Sequence, residues 1–254
     1  MLQISKTHLV LIPTYNTGPI VLDVVQKALQ SWQPVYVVVD GSNDGTAELL
    51  KNLAEKEPHL TVITHNTNKG KGNAIYTGIE KALENNFTHI LTMDADDQHP
   101  ASSIKEFMEI SIANPDSAIL GAPVFDANAP ALRVNGRKVS NFWANLETLW
   151  MGINDSLFGF RIYPIQALKT VMDATRYARR FDFEPEVAVK LVWNNTPVVN
   201  KAVPVRYPSA EEGGISQFRY LRDNTLLTWM HTRLFLGFLI RFPALLWRRL
   251  HNNS

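Results

Sequence analysis

Short runs of β-branched and other apolar residues alternate with longer mixed segments over the first half of the chain. The runs lie at residues 8–12, 35–39, 60–64, 89–93 and 118–122. The segments between the first four runs have the length and apolar spacing of amphipathic helices. They lie at residues 19–31, 46–57 and 72–85. Because strand–helix–strand units build parallel sheets covered on both faces, the pattern predicts an α/β fold with a mostly parallel sheet.

The alternation changes after residue 122. A loop rich in Pro and Asn is expected at residues 123–135, and two helices and two further strands are expected beyond it. The helices are predicted at 138–150 and 185–193, and the strands at 159–163 and 198–205. From about residue 216, apolar residues recur at spacings of three and four, which predicts two helices, joined near Thr232 or broken at Pro243. We therefore expect an α/β domain over residues 1–215 and C-terminal amphipathic helices over residues 216–254.

The C-terminal segment also differs from the rest of the chain in charge. Residues 213–254 contain six arginines and one acidic residue, a net charge of +5, whereas the whole chain has a net charge of +1. Their longest uncharged apolar stretch, residues 234–240, has seven residues, whereas a helix that spans a bilayer needs about 20. Arginine combined with Trp, Phe and Leu is typical of a helix that lies in a membrane interface. We expect a membrane surface as a partner; the alternative is a helix that covers the protein's own core and has a basic outer face.

Composition limits the other classes of function. The 254 residues, 45% of them hydrophobic, suffice for one large domain or two small ones. Cysteine is absent, which excludes disulfides and thiolate metal sites and fits a reducing compartment. Residues 1–8 contain no apolar signal core, so we expect a cytoplasmic location, on the inner face of the membrane. The small net charge gives no reason to expect nucleic-acid binding.

Residues 93–100 place three carboxylates and an amide directly after an apolar run. Asp94 and Asp96 are two residues apart, so they can converge on one hard metal ion such as Mg²⁺ or Mn²⁺. The alternative for such a short acidic motif is a solvated loop. A calcium-binding EF-hand is excluded, because His99 and Lys105 occupy the positions that require Gly and Glu. The carboxyl end of a strand is where open α/β sheets bind ligands, which favours a metal site.

Two further polar segments follow predicted strands. In the first, Pro13 is expected to end the strand, Tyr15 can stack on a planar base, and Asn16 follows it. In the second, Asp40 can accept a hydrogen bond from a ribose hydroxyl or a base N–H, with Ser42 beside it. Taken alone, the second segment is better explained as a capped turn that opens a helix.

A glycine-rich segment, residues 68–74, opens the helix that follows the third strand. Gly70 permits close approach of the backbone, while Lys69 and Lys71 offer positive charge to a diphosphate. The segment matches neither the P-loop nor the dinucleotide-binding fingerprint.

Together these segments resemble the family 2 glycosyltransferases, because they occur in that family's order and spacing. The matching segments are residues 13–16, 40–46, 68–74 and 94–96. The resemblance implies a GT-A fold with a Rossmann-like sheet, a nucleotide-diphosphate sugar as donor, Mg²⁺ or Mn²⁺ as cofactor, and inversion at the anomeric carbon. A non-catalytic nucleotide-sugar or membrane-binding module is a second possibility, against which the intact acidic motif argues.

Within the family, the chain is most similar to the dolichyl-phosphate mannose synthase and polyprenyl-phosphate glycosyltransferase branch. The resemblance implies that Gln98 joins Asp94 and Asp96 at the metal. Residues 159–161 match the branch's Gly-Phe-Arg segment, and residues 136–138 resemble its acceptor-phosphate site. Arg137 and Arg161 are therefore expected to face an anionic acceptor or the donor phosphates; a salt bridge to a helix acid is the alternative for Arg161. Residues 183–186, 203–205 and 214–216 follow in the branch's order.

The sequence leaves the identity of the acceptor open, because two positively charged residues of the branch are missing from this chain. The branch has an arginine near residues 122–124 and a lysine after its serine near the end of the domain, where this chain has Gln217. A polyprenyl phosphate, with a second pKa near ~6, arrives ionised and needs no general base. A lipid or other hydroxyl needs one, and the candidates are Asp182 and Glu184. For Glu186, capping or pairing at the start of its helix is as good an explanation as a catalytic role.

Overall fold

A seven-stranded sheet runs through the part of the chain that the computed structural model describes, residues 4–125, 131–205 and 220–251. The strands are β1 (His8–Thr14), β2 (Val35–Asp40), β3 (Leu60–His65), β4 (His89–Thr92), β5 (Ala118–Phe125), β6 (Arg161–Pro164) and β7 (Val198–Val205). Their order is β3-β2-β1-β4-β6-β5-β7, with β6 antiparallel to both of its neighbours. The predicted α/β fold with a mostly parallel sheet is confirmed.

The strand order reverses between β1 and β4. From β1 the chain first moves outward to β2 and β3, and then returns to place β4 on the other side of β1. Loops that leave neighbouring parallel strands in opposite directions open a crevice at the carboxyl ends of those strands. The segments after β1 and β4 therefore border the same crevice.

The antiparallel strand β6 brings a later segment to the same place. Thr92, the last residue of β4, pairs with Arg161, the first residue of β6. In an antiparallel pair the start of one strand lies beside the end of the other. The residues just before β6 therefore lie at the carboxyl end of β4, next to the acidic motif.

Helices cover both faces of the sheet. The helices are α1 (Ile20–Ser31), α2 (Thr46–Ala54), α3 (Lys71–Glu84), α4 (Ile104–Ala113), α5 (Ala131–Glu147), α6 (Ile165–Asp173), α7 (Phe183–Trp193) and α8 (Tyr220–His251), with a 3₁₀ turn at Ala101–Ser103. Side chains alternate along β1, so Leu9 and Leu11 join the core under α3, α6 and α7, whereas Val10 and Ile12 join the core under α1 and α4. This alternation is the reason that one short strand serves two apolar cores.

Some boundaries differ from the predicted ones. Pro13 does not end β1, because it pairs in register with Val38 and the strand continues to Thr14. The loop predicted at residues 123–135 is wrong at both ends, because β5 continues to Phe125 and α5 begins at Ala131. The apolar spacing of α6 was not recognised from the sequence.

The prediction of two C-terminal helices is wrong, because α8 is one helix of 32 residues with Pro243 inside it. A proline removes one helical hydrogen bond and usually costs about 3 kcal/mol inside a helix. Here Pro243 and Leu239, whose carbonyl loses its partner, are both exposed to solvent. Packing on both sides of the proline, by Phe238 and Leu245, holds the helix continuous.

One face of α8 packs on the body of the protein. Met230, Leu234, Phe238 and Leu245 are buried along this face, which packs against α5 and α7. Within residues 4–125, 131–205 and 220–251, no helix is long and apolar enough to cross a membrane.

Three arginines of α8 bond to the body of the protein. Arg233 pairs with Glu186 at 2.8 Å. Arg248 donates to the carbonyl of Trp193 at the end of α7 (3.0 Å), and Arg249 donates to the carbonyl of Leu149 (2.6 Å). Carbonyls at a helix carboxyl end favour positive charge. Arg222 and Arg241 are exposed and bond within α8, to Asp223 and to the carbonyl of Gly237, so the outer face considered as an alternative in the sequence is basic only in part.

The outer face of α8 is mainly apolar. Its exposed apolar side chains are Leu221, Trp229, Leu236, Leu239, Ile240, Phe242, Leu246, Trp247 and Leu250. On α5 the exposed Phe142 lies beside Trp143, which contacts Phe235 of α8 edge-on at 5.8 Å. We call this surface of α8 and Phe142 the apolar face.

Stability should decrease in acid because of His8, which is buried and stacked on His89 at 4.3 Å. Burial, and then the charge of His89, lowers the pKa of His8 from 6.5 to about 4. The unfolded chain thus binds a proton that the folded chain excludes between these pH values. We expect roughly 2–3 kcal/mol of unfolding free energy to be lost as the pH falls from 6.5 to 4. Urea unfolding of wild type and His8→Gln across this range measures the effect.

The His8→Gln variant should lose less stability than wild type over the same pH range, because its amide can still reach Ser111, the partner of His8 at 3.2 Å. His59→Gln, at a half-buried histidine outside the stack, is the matched control. An acid dependence that is unchanged in His8→Gln contradicts the assignment.

Candidate functional site

The ammonium group of Lys71 joins two carboxylates from distant parts of the chain. Lys71, at the start of α3, lies 2.5 Å from Oδ1 of Asp94 and also contacts Oε1 of Glu184 in the first turn of α7. Burial opposes the charge on Lys71, but the two carboxylates outweigh it and raise its pKa above the ordinary value. Burial likewise opposes the charge on Asp94, yet Lys71 and further cations hold its pKa below the usual range. The predicted residues Lys71, Asp94 and Glu184 therefore share one site.

The acidic motif has an inner part, Asp94 and Asp96, which lies at the site, and an outer part, Asp97, which faces the surface. Asp96 accepts a hydrogen bond from the backbone of Gln98 at 3.2 Å. Burial, followed by the negative charge of Asp94, raises the pKa of Asp96 to about 7. Asp97, with a left-handed φ of 58°, turns away and pairs with Lys27 on α1 at 2.8 Å. Asp96 is thus short of positive charge, whereas Asp94 is paired with Lys71 and Asp97 is neutralised at the surface.

The inner residues suit a divalent cation in charge and in ligand type. Within residues 4–125, 131–205 and 220–251, no three His, Cys, Asp or Glu side chains are grouped so that they could hold a metal ion. The predicted set differs in composition, since it joins the carboxylates of Asp94 and Asp96 with the amide of Gln98. Oxygen ligands of these kinds are those that Mg²⁺ and Mn²⁺ take in proteins. The raised pKa of Asp96 is the observation that favours added positive charge here.

His99 contacts Asp94 through both of its ring nitrogens. Its Nδ1 accepts a hydrogen bond from the backbone N–H of Asp94 at 2.9 Å, and its Nε2 lies 3.7 Å from Oδ2 of the same residue. The ring packs edge-on against Phe158 and Phe160. Burial lowers the pKa of His99 to about 4, so the ring is neutral at physiological pH. This role was not recognised in the sequence, although His99 belongs to the acidic motif.

Gly159 leaves the room that the ion pair occupies. A Cβ atom at this position would lie 2.9 Å from both Oδ2 of Asp94 and Nζ of Lys71. Any side chain here would displace one of the two charged groups. The Gly-Phe-Arg segment recognised in the sequence therefore contributes to the site through its glycine.

Arg137 also reaches the site. It donates to Oδ1 of Asp155 at 2.8 Å and lies over the ring of Phe125. Its charge is close enough to lower the pKa values of Asp94 and His99. Asp155, which is 3% exposed and also accepts from the backbone N–H groups of residues 157 and 158, was missed in the sequence.

Arg161 differs from its predicted role. Its side chain is fully buried and donates to the carbonyls of Glu184 (2.8 Å) and Asp155 (3.0 Å). It therefore fixes the backbone beneath two site residues, and among the described residues its partners are carbonyls and the hydroxyl of Tyr163 rather than a helix acid. Physically, a guanidinium with several donors can satisfy buried carbonyls from two separate segments.

Asp40 also has a different role from the expected one. It is 2% exposed and accepts hydrogen bonds from the side chain of His65 (2.8 Å) and from the backbones of Lys69 (2.9 Å) and Gly70 (2.7 Å). Both carboxylate oxygens are thus engaged in holding the glycine-rich segment. The prediction that Asp40 contacts a ribose or base is not what this arrangement supports.

The glycine-rich segment was expected to let the backbone approach a ligand closely. In the structure, the backbone of residues 178 and 179 makes this close approach. A Cβ atom on Gly70 would lie 2.2 Å from the carbonyl oxygen of Arg179. The same carbonyl accepts a hydrogen bond from the backbone of Gly72 at 3.0 Å. The loop before α7 therefore covers the start of α3, and this packing places Glu184 beside Lys71.

The loops after β1 and β2 are tied together. The backbone of Asn16 donates to Oγ of Ser42, and its side-chain oxygen accepts from the backbone of Asn43, both at 2.9 Å. Pro13 is buried within β1, and Tyr15 is half-buried beside it. Asn16 and Ser42, which belong to two of the segments that resemble the family, thus fix the shape of this edge of the crevice.

Of the carboxylates in residues 182–186, Glu184 is the one beside Lys71. Asp182 accepts from the backbones of Ala178 (3.0 Å) and Arg180 (2.9 Å), so it holds the preceding turn. Glu186 is fully buried and pairs with Lys190 and Arg233. Asp182, predicted as a possible base, thus holds the turn before α7, and Glu186 makes ion pairs, which was one of the two roles left open for it.

Comparison with known proteins agrees with this geometry. The family description "Glycosyl transferase family 2" matches residues 9–171, more than half of the chain. The chain is 28% identical over 215 residues to a polyprenol monophosphomannose synthase of Mycolicibacterium smegmatis, covering 82% of this chain and 80% of that protein. It is 27% identical over 194 residues to a UDP-N-acetylglucosamine–dolichyl-phosphate N-acetylglucosaminyltransferase of Methanococcus voltae, covering 70% and 77%. An undecaprenyl-phosphate mannosyltransferase of Micrococcus luteus is 25% identical over 212 residues, covering 81% and 85%.

Solved structures share the fold. A glucosyl-3-phosphoglycerate synthase of Mycobacterium tuberculosis, in complex with Mn²⁺, UDP and product, superposes with a TM-score of 0.63 at 14% identity, covering 91% of this chain and 79% of the other. A mannosyltransferase of Pyrobaculum calidifontis, in complex with GDP-mannose and Mn²⁺, gives 0.59 at 18% identity, covering 82% and 60%. At these identities the likeness concerns the fold. The matched family, the fold and the gathered site together show that the chain belongs to glycosyl transferase family 2.

Proposed function

We propose that the protein is a metal-dependent, inverting glycosyltransferase that moves a sugar from a nucleotide-diphosphate sugar to a lipid-linked acceptor such as polyprenyl phosphate. The observation that carries the proposal is the gathering of Asp94, Asp96, Lys71 and Arg137 at the carboxyl end of β4. Carboxylates there suit a cation, and the arginine suits an anionic substrate. The relatives named above transfer sugars to polyprenyl or dolichyl phosphates, which supports the same acceptor class for this chain.

On the donor side, Asp94, Asp96 and Gln98 would hold Mg²⁺ or Mn²⁺. When bound, the ion supplies positive charge to the departing nucleotide diphosphate. Lys71 adds a fixed positive charge at the start of α3, held in place by Asp94 and Glu184. Tyr15 and Asn16, at the tied loops after β1 and β2, would border the nucleotide base.

On the acceptor side, Arg137 would bind the phosphate of the lipid. Its guanidinium is oriented by Asp155, which occupies one of its nitrogens and leaves further donors for a bidentate contact. An ionised phosphate is already a nucleophile, so no protein base is required.

A hydroxyl acceptor is the second candidate, and the position of Glu184 favours it. Its carboxylate is 5% exposed and lies at Lys71, beside the metal-binding residues. A hydroxyl group needs a base within hydrogen-bond reach, and Glu184 is the carboxylate of residues 182–186 that the fold leaves for this role.

We further propose that residues 1–215 form the catalytic domain and that residues 216–254 bind a membrane surface, on its cytoplasmic side. The boundary itself, with the predicted segment at residues 214–216 and Gln217, lies outside the described residues. The support is the apolar face of α8, because exposed aromatic and aliphatic side chains on one helix face suit the headgroup boundary of a bilayer. Since three arginines of α8 bond to the body, apolar contact carries this proposal more than charge does.

Asp96→Asn should reduce turnover by about a hundredfold or more, because it removes a charged metal ligand and keeps the side-chain volume. Metal-dependent binding of the nucleotide should weaken in parallel, with the circular dichroism spectrum unchanged. Sugar transfer and donor hydrolysis with Mn²⁺, and calorimetric titration of nucleotide with and without metal, measure these effects.

The neighbouring Asp97→Asn is the matched control for this variant, since Asp97 pairs with Lys27 outside the site. It should retain activity. Undiminished turnover in Asp96→Asn refutes the metal assignment.

Arg137→Ala should raise the acceptor KM by about tenfold or more, because a charged hydrogen bond to the phosphate is lost. The donor KM should change less. Initial rates measured over both substrate concentrations separate the two constants, and Lys105→Ala on the exposed side of α4 is the control. If both constants change equally, or the donor KM changes more, Arg137 does not bind the acceptor.

Ile240→Asp should abolish binding to liposomes, because burial of a large aliphatic side chain contributes about 1.5–3 kcal/mol and the aspartate must stay hydrated. Ile240 is 81% exposed, and Ile112→Asp on α4, where Ile112 is 56% exposed, is the matched control. Flotation with vesicles of varied anionic content, at low and high salt, is the measurement. Wild-type protein that stays in the soluble fraction under every condition refutes membrane binding through the apolar face.

A further inference from the structure

A buried polar cluster joins α8 to α5. Nδ1 of His231, on α8, lies 3.0 Å from Oε1 of Glu147, and its Nε2 lies 3.0 Å from Oγ of Ser140. Oγ of Ser140 in turn lies 3.1 Å from Oγ of Ser156, in the segment before β6. Glu147 and Ser156 are fully buried, and Ser140 is 5% exposed. Polar groups this deeply buried hold one arrangement, because each lost bond leaves an unsatisfied partner.

The cluster continues to Arg137. Ser156 donates its backbone N–H (2.8 Å) and its hydroxyl (2.7 Å) to Oδ1 of Asn141. Nδ2 of Asn141 donates to Oδ2 of Asp155 at 3.2 Å, and Oδ1 of Asp155 accepts from Arg137 at 2.8 Å. A continuous series of side-chain hydrogen bonds therefore runs from α8 to the guanidinium of Arg137.

The direction of the series is fixed at its Asn141 end. The hydroxyl proton of Ser156 goes to Asn141, since an amide oxygen can only accept. Ser156 thus has no proton left for Ser140, so Ser140 donates to Ser156 when Nε2 of His231 is protonated and donates to Nε2 when it is not. Because a hydroxyl has one proton to donate, each member determines the orientation of the next.

We infer that Ser140 and His231 are positioning residues for Arg137. They hold Asn141 and Ser156 in the orientation that fixes Asp155, and Asp155 fixes the guanidinium. The inference rests on the proposed function, in which Arg137 binds the acceptor phosphate. His231 lies on the same helix as the apolar face, so the helix proposed to meet the lipid also sets the group proposed to bind the lipid's phosphate.

The test is a double-mutant cycle between Ser140→Ala and Arg137→Ala, with KM and kcat measured for polyprenyl phosphate and for the donor. Ser140→Ala should raise the acceptor KM about fivefold, the effect of one hydrogen bond, with little change in the donor KM. In the Arg137→Ala background the same substitution should have no further effect, because it acts through Arg137. His231→Asn, whose amide can still pair with Glu147 but is too short to reach Ser140, should behave like Ser140→Ala.

The matched control is Thr148→Val, which removes another buried hydroxyl of the α5 region. Thr148 bonds only to carbonyls of residues 144 and 145 and lies outside the series. It should leave the acceptor KM unchanged. The inference is overturned if Ser140→Ala has the same effect with and without Arg137, if it has no effect, or if Thr148→Val matches it. An unchanged acceptor KM in Arg137→Ala alone refutes instead the acceptor role in the proposed function, and the inference falls with it.

Discussion

The ammonium group of Lys71 lies between two carboxylates that the chain separates by many residues. Asp94 follows β4 and Glu184 opens α7, and both contact the same nitrogen at the start of α3. A buried carboxylate without this partner would be costly, because an uncompensated charge is poorly tolerated away from water. The three segments therefore have to meet at Lys71, and the crevice takes its shape from that requirement.

The sheet topology makes the meeting possible. The antiparallel β6 places Gly159 beside Asp94, where the lack of a side chain leaves room for the ion pair. Arg161, the first residue of β6, then fixes the backbones of Asp155 and Glu184 from beneath. A buried arginine thus serves the site by holding other residues, while metal and phosphate binding are proposed for Asp96 and Arg137.

The sequence predicted the fold and the place of the site well, because both follow from local patterns. Strand periodicity and the acidic motif after the fourth strand are sufficient to locate Asp94 and Asp96 at a sheet edge. The roles of Asp40 and Arg161 could not be predicted, since a short motif does not reveal whether a polar side chain bonds to a ligand or to a neighbouring backbone. The helix break predicted at Pro243 was wrong for a related reason. The free-energy cost of a proline inside a helix is outweighed by packing that only the tertiary structure shows.

The account depends most directly on where a divalent ion binds. Diffraction from crystals containing Mn²⁺ and a nucleotide diphosphate, measured at the manganese absorption edge, locates the ion independently of activity. The account predicts an anomalous peak at Asp94, Asp96 and Gln98, in contact with the diphosphate. A bound nucleotide with manganese elsewhere, or with no manganese at these residues, would contradict it.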